Sequence, residues 1–383
     1  YALVYRLTQF LFAGRSEVTD FAFPAAFGVI IVTILFNIQL GVIFVTILSL
    51  MTPVLTSNDL TLSIMIVVSG LAGAFAVRHT QRRSEIYFTV VLIALANALT
   101  ILALGLVHTH PFSLVLQQIL WGCISAVASV ILASILLPLV ERTFRILSPL
   151  HLIELSDLRH PLLRRLNAEA PGTYQHSIIV GNLAEPVAEA IGANGLLARV
   201  GAYFHDVGKL HHPEYFIENF DQASKKLESL SPSLATRIIL GHVSEGIKLA
   251  KASNLPQPLV KFIEEHHGTS PISFLYREAL AMDQHKSLSL DDFRYPGPKP
   301  STKEIAVVML ADAGESAARS LVNPTAADLE SMLENIIKGK LDDGQLEDSP
   351  LTLADITIIQ RTLLRGLLSI HHQRLAYPKA EKR

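Results

Sequence analysis

Gly201-Ala202-Tyr203-Phe204-His205-Asp206-Val207-Gly208-Lys209 is the stretch on which the reading of this chain turns. It reads as a helix that ends by delivering a His-Asp pair, with Lys209 just beyond. Adjacent imidazole and carboxylate groups can aim two ligands at neighbouring cations, because a carboxylate has two oxygens and can bridge ions that a neutral imidazole cannot. Such a pair alone is weak, since a single His on an apolar helix is more often a hydrogen-bonded core residue. Its weight comes from His176, His242, the doublet His266-His267 and Asp312, which fall at the inward side or the end of other helices.

Buried imidazoles and carboxylates without partners are costly, so a core that collects this many must satisfy them together. Cations do so economically. Five imidazoles and two carboxylates are too many for one ion but fit two ions that share Asp206. Mixed His and carboxylate ligation with no thiolate points to Fe or Mn, with Zn also open, rather than to Ca, whose sites are all oxygen. Two divalent ions in such a site lower the pKa of a bridging water and stabilise charge on a phosphoryl oxygen, the arrangement for phosphodiester hydrolysis. Lys209 reads either as a solvated side chain or as a positive charge for the phosphate. Pattern alone leaves His267 open, because one member of a doublet often faces solvent. His211, His212, His285, His371 and His372 show no ligand spacing and read as surface residues.

The 383 residues are 50% hydrophobic, which is high for a soluble protein, but the average conceals a split. Charges are sparse through residue 140 and dense after Glu141, so a membrane half precedes a soluble half. A net charge of -2 gives no electrostatic footprint for a nucleic-acid polymer. The single cysteine, Cys123, lies in an apolar run, which excludes a disulfide framework and a Cys-rich zinc site. The chain opens at Tyr1 inside an apolar stretch running to Phe12, with no signal-peptide pattern, and reads as a fragment whose natural start lies upstream.

Further apolar segments follow at roughly 22 to 36, 39 to 55, 60 to 77, 86 to 108 and 112 to 138. A bilayer core needs about 20 apolar residues per helix, so the first two are short and read as paired spans or one broken span. Arg78, Arg82 and Arg83 follow the third segment and Arg142 and Arg145 the last, which predicts both places, and the soluble half, to be cytoplasmic. Gly70, Gly73 and Ala74 suit close helix packing, and the lack of charge at mid-membrane gives a transporter little support.

The soluble half reads as amphipathic helices with no run of strand period, so the fold class is all-α: a multi-span transmembrane bundle followed by a helical domain. The expected division is 1-140 transmembrane, 141-170 linker helix and 171-383 soluble domain. Ser156 to Leu166 reads as the linker helix, from Leu158, Leu162, Leu163 and Leu166. Pro171-Gly172-Thr173 starts a helix carrying His176, Asn194 caps the helix that reaches His205, and Ser231-Pro232 opens one bearing His242. Pro258 opens a helix that brings up His266 before Gly268 ends it. Ser301 and Glu304 predict a capping box for a helix carrying Asp312. Asp342 to Pro350 reads as an acidic turn region and Thr352 to Ile370 as a final helix.

With these residues in hand, the chain resembles the HD phosphohydrolase superfamily, and within it the seven-transmembrane HD-domain family of PgpH-like cyclic di-AMP phosphodiesterases. The carriers are Leu155-Ser156-Asp157-Leu158 with His160-Pro161-Leu162-Leu163, Glu169 to Ser177, the His205 to Lys209 stretch, Pro213 to Asn219, Glu265 to Thr269, Phe293 to Pro300, and Leu310-Ala311-Asp312. The resemblance implies a membrane-anchored enzyme of the bacterial plasma membrane with its HD domain in the cytoplasm. It implies that a hydroxide activated by two metals, iron or manganese, opens cyclic di-AMP to linear pApA and so controls second-messenger level. By position, His176, His205 and Asp312 would hold one metal and His242, His266 and His267 the other, with Asp206 bridging. It also implies an extracytoplasmic sensor domain and a further span upstream of Tyr1, and leaves a homodimer open.

Two alternatives compete. An HD-GYP cyclic di-GMP phosphodiesterase would carry Gly-Tyr-Pro after the His doublet, whereas here Gly268-Thr269-Ser270-Pro271 follows. A non-catalytic nucleotide-binding module would have no need of all seven ligand-type residues. Phe293 to Pro300, Tyr276 and Arg277 read either as base or phosphate contacts or as loop packing.

Overall fold

In the computed structural model the described residues are 20–55, 60–78, 83–144, 146–220, 223–282 and 288–370. Among them the architecture is all-α, as the sequence predicts, and the only extended pairing is an isolated bridge between Pro271 and Arg294. The opening segment 1–12, Arg82, Arg145, His285, His371 and His372 fall outside the described residues, as does the side chain of Arg83. The chain forms two compact units, Tyr1–Glu154 and Leu155–Arg383.

The first unit contains α1 (Phe27–Leu35), α2 (Ile38–Leu55), α3 (Leu60–Val77), α4 (Thr89–Val107) and α5 (Phe112–Phe144), followed by the short α6 (Pro149–Leu155). Among the described residues, three stretches are long and apolar enough to cross a membrane: Leu60–Val77, Ser84–Val107 and Phe112–Phe144. The two short segments are separate helices, with a break at Phe36-Asn37 where the Asn37 side chain accepts the Leu40 N–H at 2.9 Å and starts α2. Gly73 packs as expected of a small residue: a Cβ there would meet Ile30 at 3.1 Å and Ala26 at 3.3 Å.

Several polar side chains buried between these helices are paired within the bundle. The Ser69 hydroxyl donates to the Asn97 carbonyl oxygen, and the Asn97 amide donates to the Gly122 carbonyl at 2.9 Å. Ser125 donates to the Phe23 carbonyl, and the Ala26 N–H donates to Ser129 at 3.3 Å. No water is at hand in a bilayer to do this work, so each bond removes a penalty that would otherwise fall on the bundle. Where α5 ends, Ser148 donates to the buried Glu141 carboxylate and accepts the His151 N–H at 3.1 Å, which turns the chain into α6.

The second unit begins with α7 (Pro161–Glu169). The single linker helix predicted over Ser156 to Leu166 is therefore corrected. α6 and α7 are separated by a turn in which Arg159 pairs with Asp157, and His160 caps α7 by accepting the Leu162 N–H on Nδ1 at 3.3 Å. Pro161 forbids continuation from the preceding residues yet suits the first turn of a new helix, and that outweighs the apolar spacing that bridges the gap. α8 (Pro171–Ala190), α9 (Gly195–Phe204), α10 (Pro232–Ala252) and α11 (Gln257–Glu265) start and stop close to the predicted signals, with Asn194 accepting the Leu197 N–H at 3.0 Å.

α12 (Ser273–Met282), α13 (Lys303–Ser320), α14 (Ala326–Asp342) and α15 (Leu353–Ile370) complete the unit. The Ser301–Glu304 capping box does not form. Thr302 caps α13 through the Ile305 N–H, and Glu304 instead accepts the Asn194 N–H at 2.9 Å, tying the starts of α9 and α13 together. Ile305 to Ala311 are at most 1% exposed, so this stretch of α13 is enclosed on all sides. α8, α9, α14 and α15 supply its packing through Val180, Leu183, Ala202, Leu329, Leu333, Ile359 and Leu363. The enclosed run ends at Asp312, which fixes that carboxylate against the core.

Candidate metal centre

All seven predicted ligand residues meet at one place. His176 comes from α8, His205 from the C-terminal cap of α9, and Asp206 from the residue after it. A short 3-10 turn, Val207–His211, carries Lys209, while α10 gives His242, the end of α11 gives His266 and His267, and α13 gives Asp312. Gly208 explains why the turn can lie so close to α10: a Cβ there would fall within the His242 carbonyl and the Gly246 amide. Gly201 serves similarly under the Phe262 ring.

Asp206 is fully enclosed at the middle of the group, and its two oxygens face different neighbours. Oδ2 lies 3.1 Å from His205 Nε2, 3.7 Å from His176 Nε2 and 2.7 Å from Lys209 Nζ. Oδ1 lies 3.4 Å from His242 Nε2 and 3.7 Å from His266 Nε2. Asp312 approaches His176 Nε2 with Oδ1 at 3.0 Å and His267 Nδ1 with Oδ2 at 3.7 Å. Among the described residues, three sets have ligand atoms within 4.8 Å of one another: Asp206 with His242, His266 and His267; His176 with His205 and Asp206; and His205 with His266 and Asp312. The third set crosses the other two, so it is the two-sided environment of Asp206 that divides the cluster.

The imidazoles are held by their outer nitrogens. His205 Nδ1 lies 2.6 Å from the Ala202 carbonyl, His242 Nδ1 2.6 Å from the Ile239 carbonyl, and His266 Nδ1 2.9 Å from the Phe262 carbonyl. A carbonyl can only accept, so each Nδ1 carries the proton and each Nε2 lone pair points inward. His176 is oriented the same way through Glu315, whose Oε2 lies 2.5 Å from Nδ1, so its Nε2 carries a proton toward Asp312 or, without that proton, faces a cation. The Nε2 atoms of His176, His205, His242 and His266, together with Asp206 Oδ1, are buried with no hydrogen-bond partner. Lone pairs converging on carboxylate oxygens repel one another unless a proton or a cation sits between them, so the residues fit a divalent metal set.

Electrostatics follow the same layout. Burial lowers His242 to about 4 and pushes His267 well below its ordinary value. For His176 burial also pulls downward, but contact with Asp312 and Glu315 outweighs it and raises the ring to about 9. Burial disfavours the charged forms of Asp206 and Asp312, yet His205 and Lys209 beside the former and His176 beside the latter hold both well below the carboxylate range. Lys209, with Asp206 and Glu218 in contact, is raised despite its burial.

The cluster opens where His267 is 22% exposed, Lys209 13% and Asp312 11%. Tyr295 stacks on His267 there, with ring centroids 4.2 Å apart. Of the other residues named in that region, Phe293 is buried against Ile272 and Leu275, Tyr276 of α12 lies edge-on to Phe293, and Arg294 binds Asp343 and the Thr269 carbonyl. Arg277 donates to the Ser273 carbonyl on an exposed turn. His211 and His212 are exposed, as predicted.

Sequence reasoning missed Glu315 and the role of Glu218. Glu315 lies three residues after Asp312 and so on the same face of α13, a spacing that could have revealed it. Glu218 stands within the quoted Pro213 to Asn219 stretch, but nothing in its spacing showed that it would reach Lys209 at 2.8 Å.

Two family models match in tandem: 7TM receptor with intracellular HD hydrolase over residues 1–148, and HD domain over residues 173–316. The cyclic-di-AMP phosphodiesterase PgpH of Bacillus subtilis is 38% identical over 94% of this chain and 52% of its own length. The protein of the same name from Listeria monocytogenes is 38% identical over 94% of this chain and 50% of its own. The chain thus spans about half the length of these curated relatives. A crystal structure of the L. monocytogenes PgpH HD domain in complex with cyclic di-AMP covers 57% of this chain and all of that one, at 41% identity and a TM-score of 0.54. From the tandem match, the converging ligand set and a likeness spanning the whole of that domain, the chain belongs to the PgpH-like seven-transmembrane HD-domain family.

Proposed function

We propose that this chain is a membrane-anchored, metal-dependent phosphodiesterase that hydrolyses cyclic di-AMP to linear pApA. The observation that carries the reading is the set of four buried Nε2 atoms and one Asp206 oxygen left without hydrogen-bond partners around a shared carboxylate. The substrate rests on the names and the bound nucleotide of the relatives.

His176, His205 and Asp312 would hold one cation and His242, His266 and His267 the other, with Asp206 shared. An all nitrogen and oxygen donor set without thiolate favours Fe or Mn. Two bound divalent ions supply a water of lowered pKa as nucleophile and neutralise charge on the phosphoryl oxygens. The backbone carbonyls behind His205, His242 and His266, and the Glu315 carboxylate behind His176, hold the imidazoles in the tautomer that leaves Nε2 free. Lys209, at the open edge, offers a fixed ammonium to a non-bridging phosphate oxygen. Arg78 after α3 and Arg142 near the end of α5 support a cytoplasmic side for those helix ends and for the HD domain that follows in the chain.

The test is turnover of cyclic di-AMP and cyclic di-GMP by the full chain in detergent, loaded in turn with Mn and with Fe, the product identified by chromatography. Formation of pApA with preference for cyclic di-AMP is expected. Preference for cyclic di-GMP would overturn the substrate assignment. A chain that takes up no metal and stays inert would overturn the hydrolase reading.

A further inference from the structure

Lys209 is held from two sides. Its Nζ lies 2.7 Å from Asp206 Oδ2 and 2.8 Å from Glu218 Oε1, with the Phe216 ring centroid 5.0 Å away. An ammonium has three N–H donors, so these two carboxylates leave one for a third partner. Glu218 is itself fixed, because its Oε1 accepts the Thr173 hydroxyl at 3.1 Å and its side chain is 6% exposed. The next residue reinforces the hold: the Thr173 N–H donates to Asn219 Oδ1 at 2.8 Å, and the Asn219 amide donates to the Thr173 hydroxyl at 3.0 Å. Gly172 permits this approach, since a Cβ there would overlap the Glu218 carbonyl. The segment carrying Glu218 is thereby clamped to the first turn of α8, one turn before His176.

Charge explains why a second carboxylate is needed. Asp206 is shared among every group around it, and divalent ions beside it would repel an ammonium at this distance. A single shared carboxylate holds Lys209 weakly under those conditions. Glu218, facing the lysine and none of the imidazoles named above, supplies a negative charge that belongs to Lys209 alone. We infer that Glu218 is a positioning residue: it fixes the Lys209 ammonium at the edge of the metal centre so that the remaining N–H is presented to the substrate phosphate. The inference rests on the phosphodiesterase reading and adds the residue through which its lysine acts.

A double-variant cycle tests it, using the Mn-loaded full chain in detergent with Glu218→Gln, Lys209→Ala and both together. The readouts are metal content, melting temperature, kcat and KM for cyclic di-AMP and for bis(p-nitrophenyl) phosphate, and calorimetric affinity for pApA. Glu218→Gln is expected to retain metal and to lose about tenfold to a hundredfold in kcat/KM. In the Lys209→Ala background the same change is expected to cost less than about twofold, because residues that act through one another are not additive. Glu218→Asp, which restores the charge on a shorter stem, is expected to recover part of the loss. Independent, multiplying losses would overturn the proposal, as would metal loss in Glu218→Gln. If Glu218→Gln fails to fold, Thr173→Val removes one anchor of the carboxylate and must show the same dependence on Lys209. A chain that opens the chromogenic diester but not cyclic di-AMP fails the substrate assignment while the cycle still judges Glu218. If pApA affinity and turnover are both indifferent to Lys209, the positioning role is wrong.

Discussion

The two halves of the chain distribute their unpaired buried polar groups differently. Between the apolar helices, Ser69, Asn97, Ser125 and Ser129 all find partners inside the bundle. In the HD core, four imidazole nitrogens and an aspartate oxygen are equally enclosed and have none. The first group is paired within the bundle, with Thr33 Oγ1 left alone, whereas the second gathers five unpaired atoms around one carboxylate and is complete only with something added. Thr33 Oγ1, Ser177 Oγ and Arg199 Nε lack partners singly, so it is the convergence of unpaired atoms, rather than burial or one missing bond, that separates scaffold from site.

The sharpest way to break this contrast is Asp206→Ala. It removes the carboxylate that both sides of the cluster share, and turnover is expected to fall by about 10³-fold or more, with metal content dropping in parallel by elemental analysis. Retention of both metal and turnover would show that the unpaired nitrogens are not a cation site.

Glu315→Gln keeps shape while weakening the orientation of His176, and a loss of about 10-fold to 100-fold in metal affinity or turnover is expected. Metal competition assays read the first and kinetics the second.

The pH dependence of the metal-free chain is smaller and has a fixed sign. His176, raised to about 9, is protonated at neutral pH, so its contacts with Asp312 and Glu315 contribute stability fully present below the unfolded value near 6.5. That contribution is lost as pH rises through about 9, and the melting temperature of the stripped protein should fall across this interval. Loading a cation must expel the same proton, so titration with Mn in weak buffer at pH 7 should release about one proton per chain from this ring. The smallest effect belongs to the membrane half. Asn97→Ala should lower stability in detergent by about 0.6 to 2 kcal/mol and leave metal content and turnover per metal unchanged.

Much of the centre was legible because its residue types are scarce on apolar helix faces. His205-Asp206 advertises itself, and His176, His242, His266 and Asp312 lie on helices whose starts are marked by Pro171, Pro232, Pro258 and the polar pair before Lys303. Glu315 was hidden because a Glu on a helix resembles any solvated Glu until its neighbour is known. The capping of α13 went to Thr302 because Glu304 was engaged by Asn194, a partner 110 positions away that no local rule sees. α14 was passed over although Thr325 and Asp328 form a capping box, a signal present in the letters. In the membrane half, segment lengths were readable, while the partner of Asn97 depended on which helices became neighbours.

The glycine between Asp206 and Lys209 has a mechanical consequence. With its Cα set against the His242 carbonyl, the 3-10 turn and α10 have no room to slide past each other. Any shift of α10 therefore carries the turn that bears Lys209 with it, keeping the lysine in step with His242. Even a methyl group at position 208 would separate two parts that this packing makes travel together.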